Sequence, residues 1–149
     1  MMQVQGVHRA GVAPARLWGA LSDPERLGEA LPQVGPVDVE SADAFSATVR
    51  PATGLGFTPL RLDVRIAQRE EPRRVRITGD GAGGEQRVAF DVTLVLSEDG
   101  DGCTVAWDGR VQAFGVLASL TQRVLPMVLA DQISDVLRAA EDQTKEAIA

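Results

Sequence analysis

Few side chains in this sequence could carry out acid–base, nucleophilic or metal chemistry. The 149 residues include one histidine, His8, and one cysteine, Cys103. One histidine and one cysteine do not assemble a Ser/His/acid or Cys/His set, and they exclude a zinc or iron site with several imidazoles. Cys103 starts a predicted strand on its apolar face, where it packs as a small hydrophobe. The sequence predicts no catalytic residue, no metal and no cofactor.

His8 is the only side chain that titrates near neutrality without perturbation. It shares strand parity with Val4 and Gly6, so it is a candidate polar anchor for a ligand; a structural or surface histidine is the alternative. The carboxylates Asp63, Asp91 and Asp108 fall on the opposite parity of their strands, which predicts surface charges. These positions favour a protein that is not an enzyme.

A glycine-rich run, residues 79–84, has the composition of a phosphate-binding loop. It lacks the Gly-Lys-Ser/Thr that completes such a loop, and it lies between two strands instead of before a helix. The run predicts a hairpin turn.

Charge and composition narrow the class of protein. Acidic residues outnumber basic ones by 21 to 15, a net charge of -6, which argues against a nucleic-acid partner. The single cysteine fits a reduced, cytoplasmic setting. Residues 1–11 lack the apolar core of a signal peptide, and no apolar run is long enough for a transmembrane segment. We expect one cytoplasmic domain over residues 1–149.

The periodicity predicts an α+β fold. Leu60, Leu62, Val64 and Ile66 alternate with polar residues, the pattern of a half-buried strand. Pro14 and Pro24 each fit the first turn of a short helix, and Asp23 fits the N-cap of the second. The expected order is one strand, two short helices, about six antiparallel strands and one long helix over residues 115–145. A curved antiparallel sheet with one apolar face folds around the long helix, which is the helix-grip arrangement.

The long helix carries two apolar stripes of different phase. Val116, Leu117, Leu120 and Val124 form one stripe, and the residues after Pro126 form another, roughly on the opposite side at about 100° per residue. An interior proline removes a backbone hydrogen bond and kinks a helix. We therefore expect a bend near Pro126. The first half should close a pocket, and the second should pack against the short helices or a second copy of the chain. The second stripe comprises Leu129, Ile133, Val136, Leu137 and Ala140.

Several stretches together resemble a known family. Ala13-Pro14-x-x-Leu17-Trp18-x-x-Leu21-x-Asp23-Pro24 is similar to the N-terminal signature of the START-like SRPBCC superfamily. The stretches 31–34, 45–49, 72–77, 79–84 and 117–124 resemble its branch typified by the G subunit of carbon monoxide dehydrogenase. The resemblance implies a helix-grip fold and an accessory or assembly role for a molybdenum hydroxylase. Other branches of the superfamily imply a cyclase- or dehydratase-like enzyme, for which His8 with Arg123 is the only pair available.

The fold predicts a cavity between sheet and long helix. Four Phe, two Trp and no Tyr supply few bulky side chains to fill it. Binding of an apolar or amphipathic small molecule (a lipid, a quinone or a polyketide-like compound) is therefore the leading hypothesis, ahead of the accessory protein and the enzyme. The loop 53–57 is the predicted gate: Thr53, Gly54, Leu55, Gly56 and Phe57. The predicted lining comprises Val49, Leu62, Val64, Ile77, Phe90, Val105, Trp107, Leu120, Val124 and Val128, with His8 as the polar anchor.

Overall fold

The computed structural model describes residues 2–50, 59–114 and 124–146, with side chains in the last range at 127 and 129–145. The elements within these residues alternate as expected for an α+β protein. In chain order they are β1 (Met2–Ala10), α1 (Pro14–Leu21), α2 (Pro24–Ala30), β2 (Asp38–Ser41), β3 (Ala44–Val49), β4 (Leu60–Glu70), β5 (Arg74–Gly83), β6 (Gln86–Asp99), β7 (Gly102–Phe114) and α3 (Val124–Glu146).

The strands form one antiparallel sheet in the order β1-β7-β6-β5-β4-β3-β2. Residues of one face stand in rows across it: Val64 pairs with Phe45 on β3 and with Gly79 on β5. In β4, buried and exposed residues alternate from Leu60 to Ala67, as the two-residue period predicts. We call the apolar side of the sheet its inner face.

The helices cover that inner face. Pro14 and Pro24 begin α1 and α2, and the Asp23 carboxylate accepts a hydrogen bond from the Glu25 N–H at 3.0 Å. The Trp18 indole N–H donates to the Arg74 carbonyl at 2.9 Å, which fixes α1 against the sheet. The C-terminal helix α3 contacts β1, α1 and α2. The predicted helix-grip architecture is confirmed.

The glycine-rich run is mostly strand, and the predicted turn is shorter than expected. β5 extends to Gly83, and the turn consists of Gly84 and Glu85, with Gly84 at φ 59°. A Cβ on Gly79 would lie 2.5 Å from the Phe90 ring. The glycine at that position thus makes room for a side chain of the neighbouring strand, which is why a glycine-rich segment is extended here.

The C-terminal helix is described from Val124 onward, so the predicted first half, residues 115–123, and the bend at its junction lie outside the described residues. The second half packs inward as predicted, with Leu137 and Ala140 fully buried. The Gln143 side-chain amide donates to the Arg26 carbonyl at 2.9 Å, linking α3 to α2.

Candidate functional site

A cavity of about 220 Å³ lies between the inner face of the sheet and α3. Its walls come from strands β3 to β7, from α1, α2 and the residues that follow α2, and from one side of α3. Only Arg50 and Gln132 in the lining have polar side chains. The lining comprises Leu21, Leu27, Leu31, Pro32, Phe45, Val49, Arg50, Leu60, Leu62, Val64, Ile77, Val88, Phe90, Val92, Leu94, Val111, Ala113, Leu129, Gln132, Ile133, Val136 and Leu137.

Five residues of the predicted lining meet around this cavity: Val49, Leu62, Val64, Ile77 and Phe90. They lie on β3, β4, β5 and β6, and all of them point to the inner face. Because successive strand residues alternate between faces, the sequence period placed them on a common side.

Val105, Trp107 and His8 share the inner face but lie beside β1, outside the set that lines the cavity. Trp107 is 4% exposed, and its ring occupies the space above Gly6, where a Cβ would lie 2.3 Å from the Trp107 Cζ2. The indole thus fills the β1 side of the interior. The open volume lies further along the sheet, towards β3.

The remaining predicted site residues are outside what the structure describes. They are the gate loop 53–57, the side chains of Val124 and Val128, and Leu120; Arg123, the second member of the predicted catalytic pair, is outside it as well. Their roles stay predictions.

His8 contacts α3 through a carboxylate that the strand pattern could not reveal. The His8 Nε2 lies 3.4 Å from the Glu141 Oε1, with side-chain exposures of 13% and 11%. The other carboxylate oxygen of Glu141 accepts from the Gly11 N–H at 3.3 Å and from the Lys145 ammonium at 2.8 Å. These contacts join the end of β1 to the end of α3 and support a structural role for His8.

Two neighbouring groups have shifted pKa values. Burial acts to raise the pKa of Glu141, but the hydrogen bonds from Lys145, Gly11 and His8 together outweigh it and hold this pKa below its ordinary value. Burial raises the pKa of the Cys103 thiol, and the Glu141 carboxylate adds to that rise. Cys103 is fully buried, so its thiol is protonated and protected from solvent.

The three carboxylates predicted on the surface lie on the outer face of the sheet. Asp63 and Asp108 are exposed. Asp91 is half-buried and binds the Arg76 guanidinium through two hydrogen bonds, of 2.9 and 2.5 Å. These bonds lower the pKa of Asp91. Among residues 2–50, 59–114 and 124–146, no cluster of three or more His, Cys, Asp and Glu side chains is placed to hold a metal ion.

Sequence reasoning missed the contribution of α2 and the second half of α3 to the cavity. Leu27 on α2 and Ile133 and Val136 on α3 belong to apolar stripes that the sequence showed, but the pocket was expected under the first half of the long helix. It also missed Glu141. The signal was present, because Leu137, Ala140 and Thr144 surround Glu141 at helical spacing and are buried.

Within the described parts of the chain, none of the helices combines the length and apolar character needed to cross a membrane.

Comparison with known proteins identifies relatives over the whole fold. The family model that describes the G subunit of carbon monoxide dehydrogenase (CoxG) matches residues 6–143. No curated protein matches the chain at a significant level.

Solved structures share the architecture at low sequence identity. A conserved protein from Geobacillus kaustophilus is 17% identical with a TM-score of 0.88, covering 98% of this chain and 97% of its own. A START superfamily protein from Mycobacterium smegmatis is 10% identical with a TM-score of 0.76, covering 99% of both chains. At these identities the likeness shows the fold.

Proposed function

We propose that this chain, which belongs to the CoxG family of carbon monoxide dehydrogenase, binds one apolar or amphipathic small molecule in the cavity between its sheet and α3. A lipid, a quinone or a polyketide-like compound has the required character. The observation that carries the proposal is the cavity of about 220 Å³ with an almost wholly apolar lining.

The energetic cost of an empty cavity supports an occupant. At roughly 24 cal/mol per Å³, a void of about 220 Å³ forfeits about 5 kcal/mol. That is comparable with the total stability of a small domain, about 5–15 kcal/mol. An apolar molecule recovers part of this loss by contacting the lining. Water does not substitute for it, because an apolar cavity offers water too few hydrogen-bond partners.

The proposal assigns no reaction to the cavity. Its lining includes no carboxylate, histidine or cysteine, so general acid–base or nucleophilic catalysis would have no titratable side chain there apart from Arg50. His8 is held by Glu141 instead.

Native mass spectrometry of the protein as purified tests the proposal. We expect a mass increase corresponding to one small molecule per chain, which disappears after extraction with organic solvent and returns when the extract is added back. A chain that carries no adduct and takes up no apolar compound offered to it would refute the proposal.

The family supports a second candidate: an accessory or assembly protein for a molybdenum hydroxylase of the carbon monoxide dehydrogenase kind. The family description is the observation that favours it. Pull-down with the tagged chain from its native host should recover such an enzyme. Failure to recover any molybdenum hydroxylase, under conditions in which the host expresses one, would count against this role.

A further inference from the structure

Arg50 is the only charged residue in the cavity lining. It is exposed, so the cavity reaches solvent beside it. A long basic side chain in this situation lays its methylene stem along apolar surface and keeps its charged end in water. Arg50 therefore lies at the rim, with a cationic group beside an apolar chamber.

The backbone around Arg50 is held in place. The Arg50 N–H donates to the Pro32 carbonyl at 3.0 Å, and the Val34 N–H donates to the Thr48 carbonyl at 2.6 Å. Gln33 and Val49 form an antiparallel bridge between these two segments. The chain after α2 thus fixes the end of β3, which gives the Arg50 side chain a firm base.

The guanidinium has no carboxylate within 4 Å among the described residues, in contrast to Arg9, Arg69 and Arg76, which form ion pairs. The sequence stretches 51–58 and 115–123 contain no Asp or Glu. A rim cation without an acidic neighbour is available to an anion from solution.

The apolar interior limits where a polar head group can lie. A carboxylate placed deep in the cavity would lose its hydration without gaining hydrogen bonds, which is strongly unfavourable. At the rim it keeps part of its hydration and meets the five N–H donors of a guanidinium, whose planar fork matches a carboxylate.

We propose that Arg50 selects an amphipathic ligand with a carboxylate head, which binds at the rim while the apolar body fills the cavity. This inference rests on the proposed function and specifies the class of ligand.

The test compares two eight-carbon probes, octanoate and octan-1-ol, by isothermal titration calorimetry on the full chain after removal of bound lipid. Arg50→Gln removes the charge while keeping a long polar side chain, and Arg50→Lys keeps the charge. Arg73→Gln is the matched control, because Arg73 is exposed in the β4–β5 turn, at the opposite end of those strands from the rim.

We expect Arg50→Gln to weaken octanoate binding by roughly three- to tenfold, the range for a solvent-exposed charge pair up to a charge-assisted hydrogen bond. Octan-1-ol binding should change by less than about twofold, since the alcohol carries no charge for Arg50 to attract. Arg50→Lys should retain most of the octanoate affinity, and Arg73→Gln should bind both probes like the wild type.

Two results separate this inference from the function on which it rests. If octan-1-ol binds and octanoate affinity is the same in the wild type and Arg50→Gln, the role of Arg50 is refuted and the apolar cavity stands. If neither probe binds the wild type, the proposed function itself fails.

Discussion

Leucine at position 113 should fill part of the cavity. Ala113 is half-buried on β7, pairs with Val88 and belongs to the cavity lining. Alanine to leucine adds three carbons, worth about 2.4 kcal/mol if fully buried at roughly 0.8 kcal/mol each. Since the position is half-buried, we expect about 1 kcal/mol of added stability in the ligand-free protein. Binding of octan-1-ol should weaken by about tenfold, because the leucine occupies the space of the probe.

Ala47→Leu is the matched control. Ala47 is 4% exposed, pairs with Leu62 on the same inner face and lies outside the cavity lining. The same three carbons have no space there, so overpacking should lower the free energy of unfolding by about 1–3 kcal/mol. Urea denaturation of lipid-extracted protein measures both variants. The reasoning is refuted if Ala113→Leu destabilises the protein as much as Ala47→Leu does, because the space beside Ala113 would then be filled already.

Two further predictions concern the β1 side of the fold. Gly6→Ala should lower the free energy of unfolding by about 1–3 kcal/mol, since its Cβ would lie 2.3 Å from the Trp107 ring, whereas Gly11→Ala, whose Cβ has no neighbour closer than 3.8 Å, should change it by less than about 0.5 kcal/mol; equal effects in urea denaturation would contradict this packing. Glu141→Gln should lower stability by about 1–3 kcal/mol at pH 7, because the Lys145 ammonium loses its charged partner. The native pKa of Glu141 lies below its ordinary value of 4.5, so its stabilisation is present above that pH and is lost as the pH falls through the lower native value. The difference between variant and wild type should therefore shrink below about pH 4.5, and a difference that stays constant down to pH 2 would show that the charge of Glu141 is not its cause.

The sequence was sufficient for the fold because its signals were local. Alternation in β4 and the prolines that begin α1 and α2 depend on neighbours within a few residues. The same alternation identified Leu62 and Phe90 as inner-face residues that line the cavity.

Alternation could not give the position of the cavity across the sheet. Every strand has an inner face, and whether space remains above it depends on the side chains that meet there. Trp107 fills the region above Gly6, and its contact joins residues about one hundred positions apart in the chain. Glu141 was missed for a related reason. A carboxylate is tolerated inside only because Gly11, His8 and Lys145 meet it in three dimensions.

A crystal structure of the lipid-extracted protein soaked in octan-1-ol tests the central claim most directly. The account predicts electron density for one apolar chain between the sheet and α3, in contact with Leu62, Phe90 and Ile133 and with its hydroxyl towards Arg50. A cavity closed by the surrounding side chains, or octan-1-ol bound only on the outer surface, would contradict it.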